Sequence, residues 1–431
     1  MSESDAIEGL RRSEEKLRAY GEQHGLVLRE ESPWPGYVPA SQQPGPVKHA
    51  VWSLAGVLPG GAIGRLRHQA MFGNTFGMNV KLQHTLMVCR IPESVGYVPF
   101  LGCRPDTIGG AMYAWDNDNR PKQSQVFESV ELERRYKVEV AAGQSQNWIY
   151  QLFSPAFIDW LADSTPVDFG FKLDLGVFHC ETPNWRGQEG STSGEVEPAL
   201  LDVLLENGSR VASRIRDEVL EEAAILGEPG MVDSAEAYAK WATAPKHGRI
   251  IKSILWLAKV GQEDDGTGKF ASDRGLEKES PAQFHARYIG LAMPGAATAV
   301  ATGPLPKGGR DGSIAWLQFS SLVDMEQEYV AVTCRTETKL PAVWVDPDDV
   351  GAPGVGAALP NGAVAAATGE GWGISTCDRS ACVYMRVEGT TPGAEIDRFA
   401  GEAQRIIGLL DSGGPSETPQ SPQLTKPEPS P

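Results

Sequence analysis

The chain has 431 residues, of which 41% are hydrophobic and 22% charged, a composition that supports a folded core over two or three ordinary domains. Its 39 basic and 56 acidic side chains leave a formal charge of −17, and no stretch concentrates lysine and arginine. Nucleic acid is therefore excluded as an expected partner, because such binding rests on clustered cations that neutralise phosphates.

In chain order, Ile7, Leu10, Leu17 and Tyr20 recur at helical spacing, so residues 5–24 read as an amphipathic helix closed by Gly25. The acidic start (Glu3, Asp5, Glu8) is unlike a secretory leader, and cytoplasmic residence is expected. Leu26-Val27-Leu28 reads as a short strand. Residues 31–47 hold five prolines and read as a loop, whose Trp34 and Tyr37 are expected to fold back as a lid on the core, with an exposed contact surface as the alternative. The apolar stretches 50–64 and 289–303 are broken by Pro59-Gly60-Gly61 and by Pro294, and neither reaches the roughly 20 apolar residues that span a bilayer.

Comparing the chain with itself is informative. Thr85-Leu86-Met87-Val88-Cys89-Arg90 is echoed by Val330-Ala331-Val332-Thr333-Cys334-Arg335. Each is followed after a short turn by the pattern Pro-x5-Pro-Asp-x-(Ile or Val)-Gly, its internal spacing identical in both places, beginning at Pro99 and at Pro341. An apolar strand follows in each half (176–180 and 382–385), then a polar turn, then an amphipathic helix near Leu201 or Ile396. A collinear series of this kind points to a diverged tandem repeat. The fold class expected is α+β: two tandem related lobes, each an antiparallel sheet packed against a C-terminal helix, the second smaller. The boundaries read are a helix at 1–24, a first lobe at 25–222 with an insert at 110–170, a helical connector and charged loop at 223–283, a second lobe at 284–411, and a disordered Pro-rich tail at 412–431. Within the connector, 233–243 and 248–260 read as helices and 262–279 as loop. Within the insert, Ser154-Pro155 opens an apolar helix containing Phe157, Ile158, Trp160 and Leu161.

Phe127, Glu128, Ser129, Arg134, Arg135, Tyr136 and Val138, followed by Leu152, Pro155, Trp160 and Leu161, make up two short motifs. In these the chain resembles a family of functionally uncharacterised bacterial proteins, common in high-GC genomes, that carry F-E-S-x-x-F-N-R-R-F-x-V and then L-x-P-x-x-x-x-W-L. Leu132 and Tyr136 stand where that family has phenylalanine. The resemblance covers about residues 5–222 and implies a fold relationship without an activity.

Chemistry is sparsely marked. None of the six cysteines forms a C-x-x-C pair, and they read as small buried hydrophobes. No two of the seven histidines fall at metal-ligand spacing, and neither a catalytic constellation nor a cofactor-binding motif is found. Asp116 and Asp118, in Trp115-Asp-Asn-Asp-Asn119, are weak candidates for a divalent cation, set against an ordinary Asp/Asn turn. Arg90 and Arg335, which close the matched strands, are read as structural ion pairs or as anion contacts in a groove between the halves. The leading reading is a non-enzymatic protein-binding or scaffold module with an unknown protein partner, Pro419-x-x-Pro422 in its tail being one feature in favour. The alternative is an enzyme or small-ligand binder at the lobe interface, using Asp116, Asp118 and Arg90. Oligomeric state is not legible.

Overall fold

The computed structural model describes residues 3–31, 42–43, 48–75, 78–106, 120–144, 146–182, 196–226, 241, 268–319, 327–349, 354–387 and 391–412. It is a mixed α/β structure with two antiparallel sheets, of nine and five strands. Asp116 and Asp118, the Trp34–Tyr37 loop, the connector helices apart from Trp241, and the tail beyond 412 lie outside the described residues.

Helix α1 (Glu3–His24) ends at Gly25, whose φ of 68° is the left-handed value expected of a C-cap. Its Leu10, Leu17 and Tyr20 pack on the first sheet. That sheet is built from β1 (Val27–Glu30), β2 (Lys48–Val57), β3 (Ile63–Thr75), β4 (Met78–Arg90), β5 (Phe100–Pro105), β6 (Lys122–Gln125), β7 (Tyr136–Ala141), β8 (Gly170–Asp174) and β9 (Val177–Glu181). Its spatial order is β1-β2-β3-β4-β9-β8-β5-β7-β6. Between them lie α2 (Val130–Arg135), α3 (Gln146–Leu152) and α4 (Pro155–Asp163), and after them the long α5 (Pro198–Leu226). Alternation sends Trp52, Leu54, Leu66, Met87 and Cys89 into one core with the helices. The intervening residues form a second, outer face.

The Phe127–Val138 motif performs structural tasks. Ser129 caps α2 by accepting the Leu132 N–H at 3.3 Å, and Glu133 accepts the Phe127 N–H at 3.0 Å. Arg135 donates to the carbonyls of Thr165 and Pro166. Helix α4 starts at Pro155 after Ser154, as its sequence predicts, although the Ser154 hydroxyl makes no capping bond.

The second sheet, in the order β10-β11-β12-β13-β14, comprises β10 (Glu277–Glu279), β11 (Ala296–Pro304), β12 (Asp311–Phe319), β13 (Gln327–Val345) and β14 (Gly373–Val387). Helix α6 (Pro281–Arg287) covers one face; α7 (Ala363–Gly369) and α8 (Gly393–Asp411) cover the other. The stretch 268–279, read as charged loop, contains a helical turn at 268–272 and the edge strand β10. Phe270, Ala271 and Leu276 are buried there, and three apolar anchors outweigh the flanking charges.

The two sheets share construction details. β4 pairs with β9 and β5 with β8, while the first half of β13 pairs with the second half of β14 and the second half with the first. Arg90 stands opposite Val177, and Arg335 opposite Ser380. Two residues before these partners come Leu175 and Asp378, non-glycine residues held at φ of 49° and 50°. The β2–β3 turn Leu58-Pro59-Gly60-Gly61 and the β11–β12 turn Leu305-Pro306-Lys307-Gly308-Gly309 both close with a glycine N–H donating to the leucine carbonyl at 2.9 Å. Just beyond, Gly64 pairs with Cys89 and Gly312 with Cys334. A Cβ on Gly64 would lie 2.5 Å from the Val88 carbonyl oxygen and 2.7 Å from Leu58; one on Gly312 would lie 2.6 Å from the Thr333 oxygen and 2.8 Å from Leu305.

Gly64→Ala and Gly312→Ala are each expected to destabilise the protein by about 1–3 kcal/mol in urea unfolding, since the added methyl meets backbone that cannot yield. Gly268→Ala, with open space around the new methyl, is the control and should stay within about 0.5 kcal/mol.

Candidate functional site: the charged seam between the sheets

Strand alternation on the outer face of the first sheet places Arg65 and Arg67 of β3, Arg90 of β4, and Val177 and Glu181 of β9 on one side. Glu31 reaches the same face from the end of β1, anchored by its N–H to the Val51 carbonyl at 2.8 Å. Its carboxylate lies 3.1 Å from Arg65 Nη1 and 2.8 Å from Arg67 Nε. From the second sheet, β13 ends at Val345 and the chain turns through Asp346, Pro347, Asp348 and Asp349 directly against these arginines. Arg65 Nη1 is 3.4 Å from Asp348 Oδ2, and Arg29 donates to the Asp348 carbonyl at 3.0 Å.

Arg90 is the centre of this seam. Its Nη2 lies 3.0 Å from Asp346 Oδ2 and its Nη1 pairs with Asp349, whose side chain is fully buried. Asp346 also accepts the Tyr384 hydroxyl at 3.2 Å, and Tyr384 in turn accepts the Trp344 indole N–H at 2.9 Å. Asp349 returns to the chain by accepting the Asp346 N–H at 3.2 Å. The Arg90 guanidinium sits 5.2 Å from the Trp344 ring centroid, a cation–π placement. An apolar patch flanks the ions: Val95, Leu175 and Val177 pack with Trp344 and Tyr384. Gly176 lets this happen, because a Cβ there would stand 2.6 Å from Val95 and 3.7 Å from Trp344.

Burial works against ionising Asp346 and Glu31, yet the arginines outweigh it. Arg90 and Arg65 hold the Asp346 carboxyl below its ordinary value, and Arg65 and Arg67 do the same for Glu31. Each of these three arginines faces a carboxylate, which makes the arrangement a fastener between the sheets, while burial and the neighbouring Asp346 push the more peripheral Asp348 carboxyl up. The thiols are chemically quiet, since burial pushes Cys89, Cys334 and Cys382 up to about 12. His68, buried against Thr85 Oγ1 at 2.8 Å, is lowered by burial to about 3, and buried His285 to about 4.

Arg90 therefore takes the ion-pair role. Arg335 stands elsewhere: it donates to Ser380 Oγ at 2.9 Å and to the Arg287 carbonyl at 2.6 Å, bracing α6 against its own sheet. The two arginines do not share a groove. Among the described residues, no group of three or more His, Cys, Asp or Glu side chains is placed to hold a metal ion. Also among them, no helix is long and apolar enough to cross a membrane. Glu31, Arg65, Arg67, Asp346, Trp344 and Tyr384 escaped sequence reasoning as site residues. A signal existed: Arg65-x-Arg67 puts two cations on one strand face, and Asp346-Pro-Asp-Asp349 is a short run of the opposite charge. No family model, curated protein or solved structure matches the chain.

Arg90→Met leaves Asp346 and Asp349 buried without their cation, and an expected loss of about 3–5 kcal/mol should appear in urea unfolding. Arg335→Met, which removes two hydrogen bonds to neutral acceptors, should cost only about 1–2 kcal/mol.

Acid should act in two stages. In the unfolded chain His68 and His285 take up protons near their ordinary 6.5, whereas the folded state resists until about 3 and 4, so stability falls as pH drops below about 6.5. Asp346 and Glu31 have depressed folded values, so their contribution is complete above their ordinary 3.8 and 4.5 and is lost as pH falls below them. Thermal midpoints measured across this range should show the first stage flattened in His68→Gln and the second in Arg90→Met.

Proposed function

We propose that the chain is a tandem duplication of one α+β unit and that it works as a non-enzymatic protein-binding or scaffold module. The duplication reading rests on the paired details above: the L-P-G-G-type turns, the Gly–Cys pairs beside them, and the positive-φ residues Leu175 and Asp378 at matching ladder positions. In both units the turn also rests on the C-terminal helix, Gly60 against Ser213 of α5 and Gly308 against Gln404 of α8. On this alignment α3 and α4 correspond to α7. What the first unit adds is then β6, α2 and β7, a shorter insert than 110–170.

The observation that carries the functional reading is where polar and apolar groups face. The seam between the units pairs its arginines with carboxylates, while the insert and the helix α3 that follows it turn apolar side chains outward: Val126 is 73% exposed, Val130 84% and Tyr150 55%. They surround Phe127, whose ring meets Tyr150 edge-on at 6.0 Å. Beside them runs β6, a four-residue strand at the edge of its sheet that, among the described residues, pairs with β7 alone. Exposed apolar groups next to an open strand edge are the features of a surface that receives another polypeptide.

The test compares the full-length protein with Val126→Asp/Val130→Asp in affinity capture from native cells, read by quantitative mass spectrometry. A partner recovered by the wild type and depleted about tenfold or more by the variant is expected, equal circular dichroism showing that the fold is intact; tenfold equals about 1.4 kcal/mol of binding. Identical recoveries would sink the assignment of the surface, and an absence of any stable partner would sink the scaffold reading.

A further inference from the structure

We draw no further inference here: the strongest candidate, the polar cleft between β10 and α6 around Glu279, carries nothing, because the buried Glu279 carboxylate is already paired with Arg287 at 2.7 Å and nothing in the structure shows what would fill the cleft.

Discussion

Arg90 couples the two sheets, and the placement of one against the other depends on how its charge is met. A guanidinium this deeply buried is tolerated only where carboxylates and further hydrogen bonds replace the water it has lost. Asp346 and Asp349 supply the carboxylates, and Tyr384 and Trp344 hold Asp346 in place. Such a network is stringent about geometry, because shifting the sheets by a strand spacing would leave several buried charges facing nothing. The apolar contacts of Val95, Leu175 and Val177 add area to the joint, and the ions fix its register.

The same ladder position has two fates. Arg90 and Arg335 both stand opposite a residue that follows a positive-φ bend, yet Arg90, at the end of β4, turns to the second sheet, and Arg335, in the interior of β13, turns to helix α6. The surroundings decide this. β4 stops at Arg90, so its side chain emerges where the Asp346–Asp349 turn arrives, whereas β13 runs on for ten residues past Arg335 and keeps it inside its sheet. On the duplication reading, one unit kept a continuous two-stranded ribbon, and the other folded its ribbon at Leu175–Gly176 into four shorter strands.

Much of this order was legible in the residues because strand alternation writes itself directly into sequence. The T-L-M-V-C-R and V-A-V-T-C-R segments fall on β4 and β13, each flanked by strands on both sides, and α1 buries Leu10, Leu17 and Tyr20 and ends at Gly25 as read, although Ile7 of the same stripe is exposed. The L-P-G-G and L-P-K-G-G turns escaped notice because one inserted lysine breaks their spacing. Residues 268–279 were misread because charge dominates the local composition, although three buried side chains decide the conformation. The seam was the least visible. Arg65, Arg67 and Arg90 are separated from Asp346, Asp348 and Asp349 by well over half the chain, and opposite charges far apart in sequence carry no local sign of pairing.

A sheet with one charged face needs that face either wet or covered by matching groups. Here the cover is divided at Leu175–Gly176. On the β2–β3–β4–β9 side, the second unit supplies aspartates to the arginines; on the β5–β8 side, Trp241 supplies a ring to Phe100 and an N–H to Asp174. Both covers reach the first sheet from beyond α5, and both dock through polar groups that demand a specific partner atom. The second sheet, by contrast, is covered mostly by its own helices, with Val95, Leu175 and Val177 of the first half completing the face around Trp344 and Tyr384. The contacts that demand a specific partner atom are therefore concentrated on the outer face of the first sheet, where the second sheet's Asp346–Asp349 turn and Trp241 both dock.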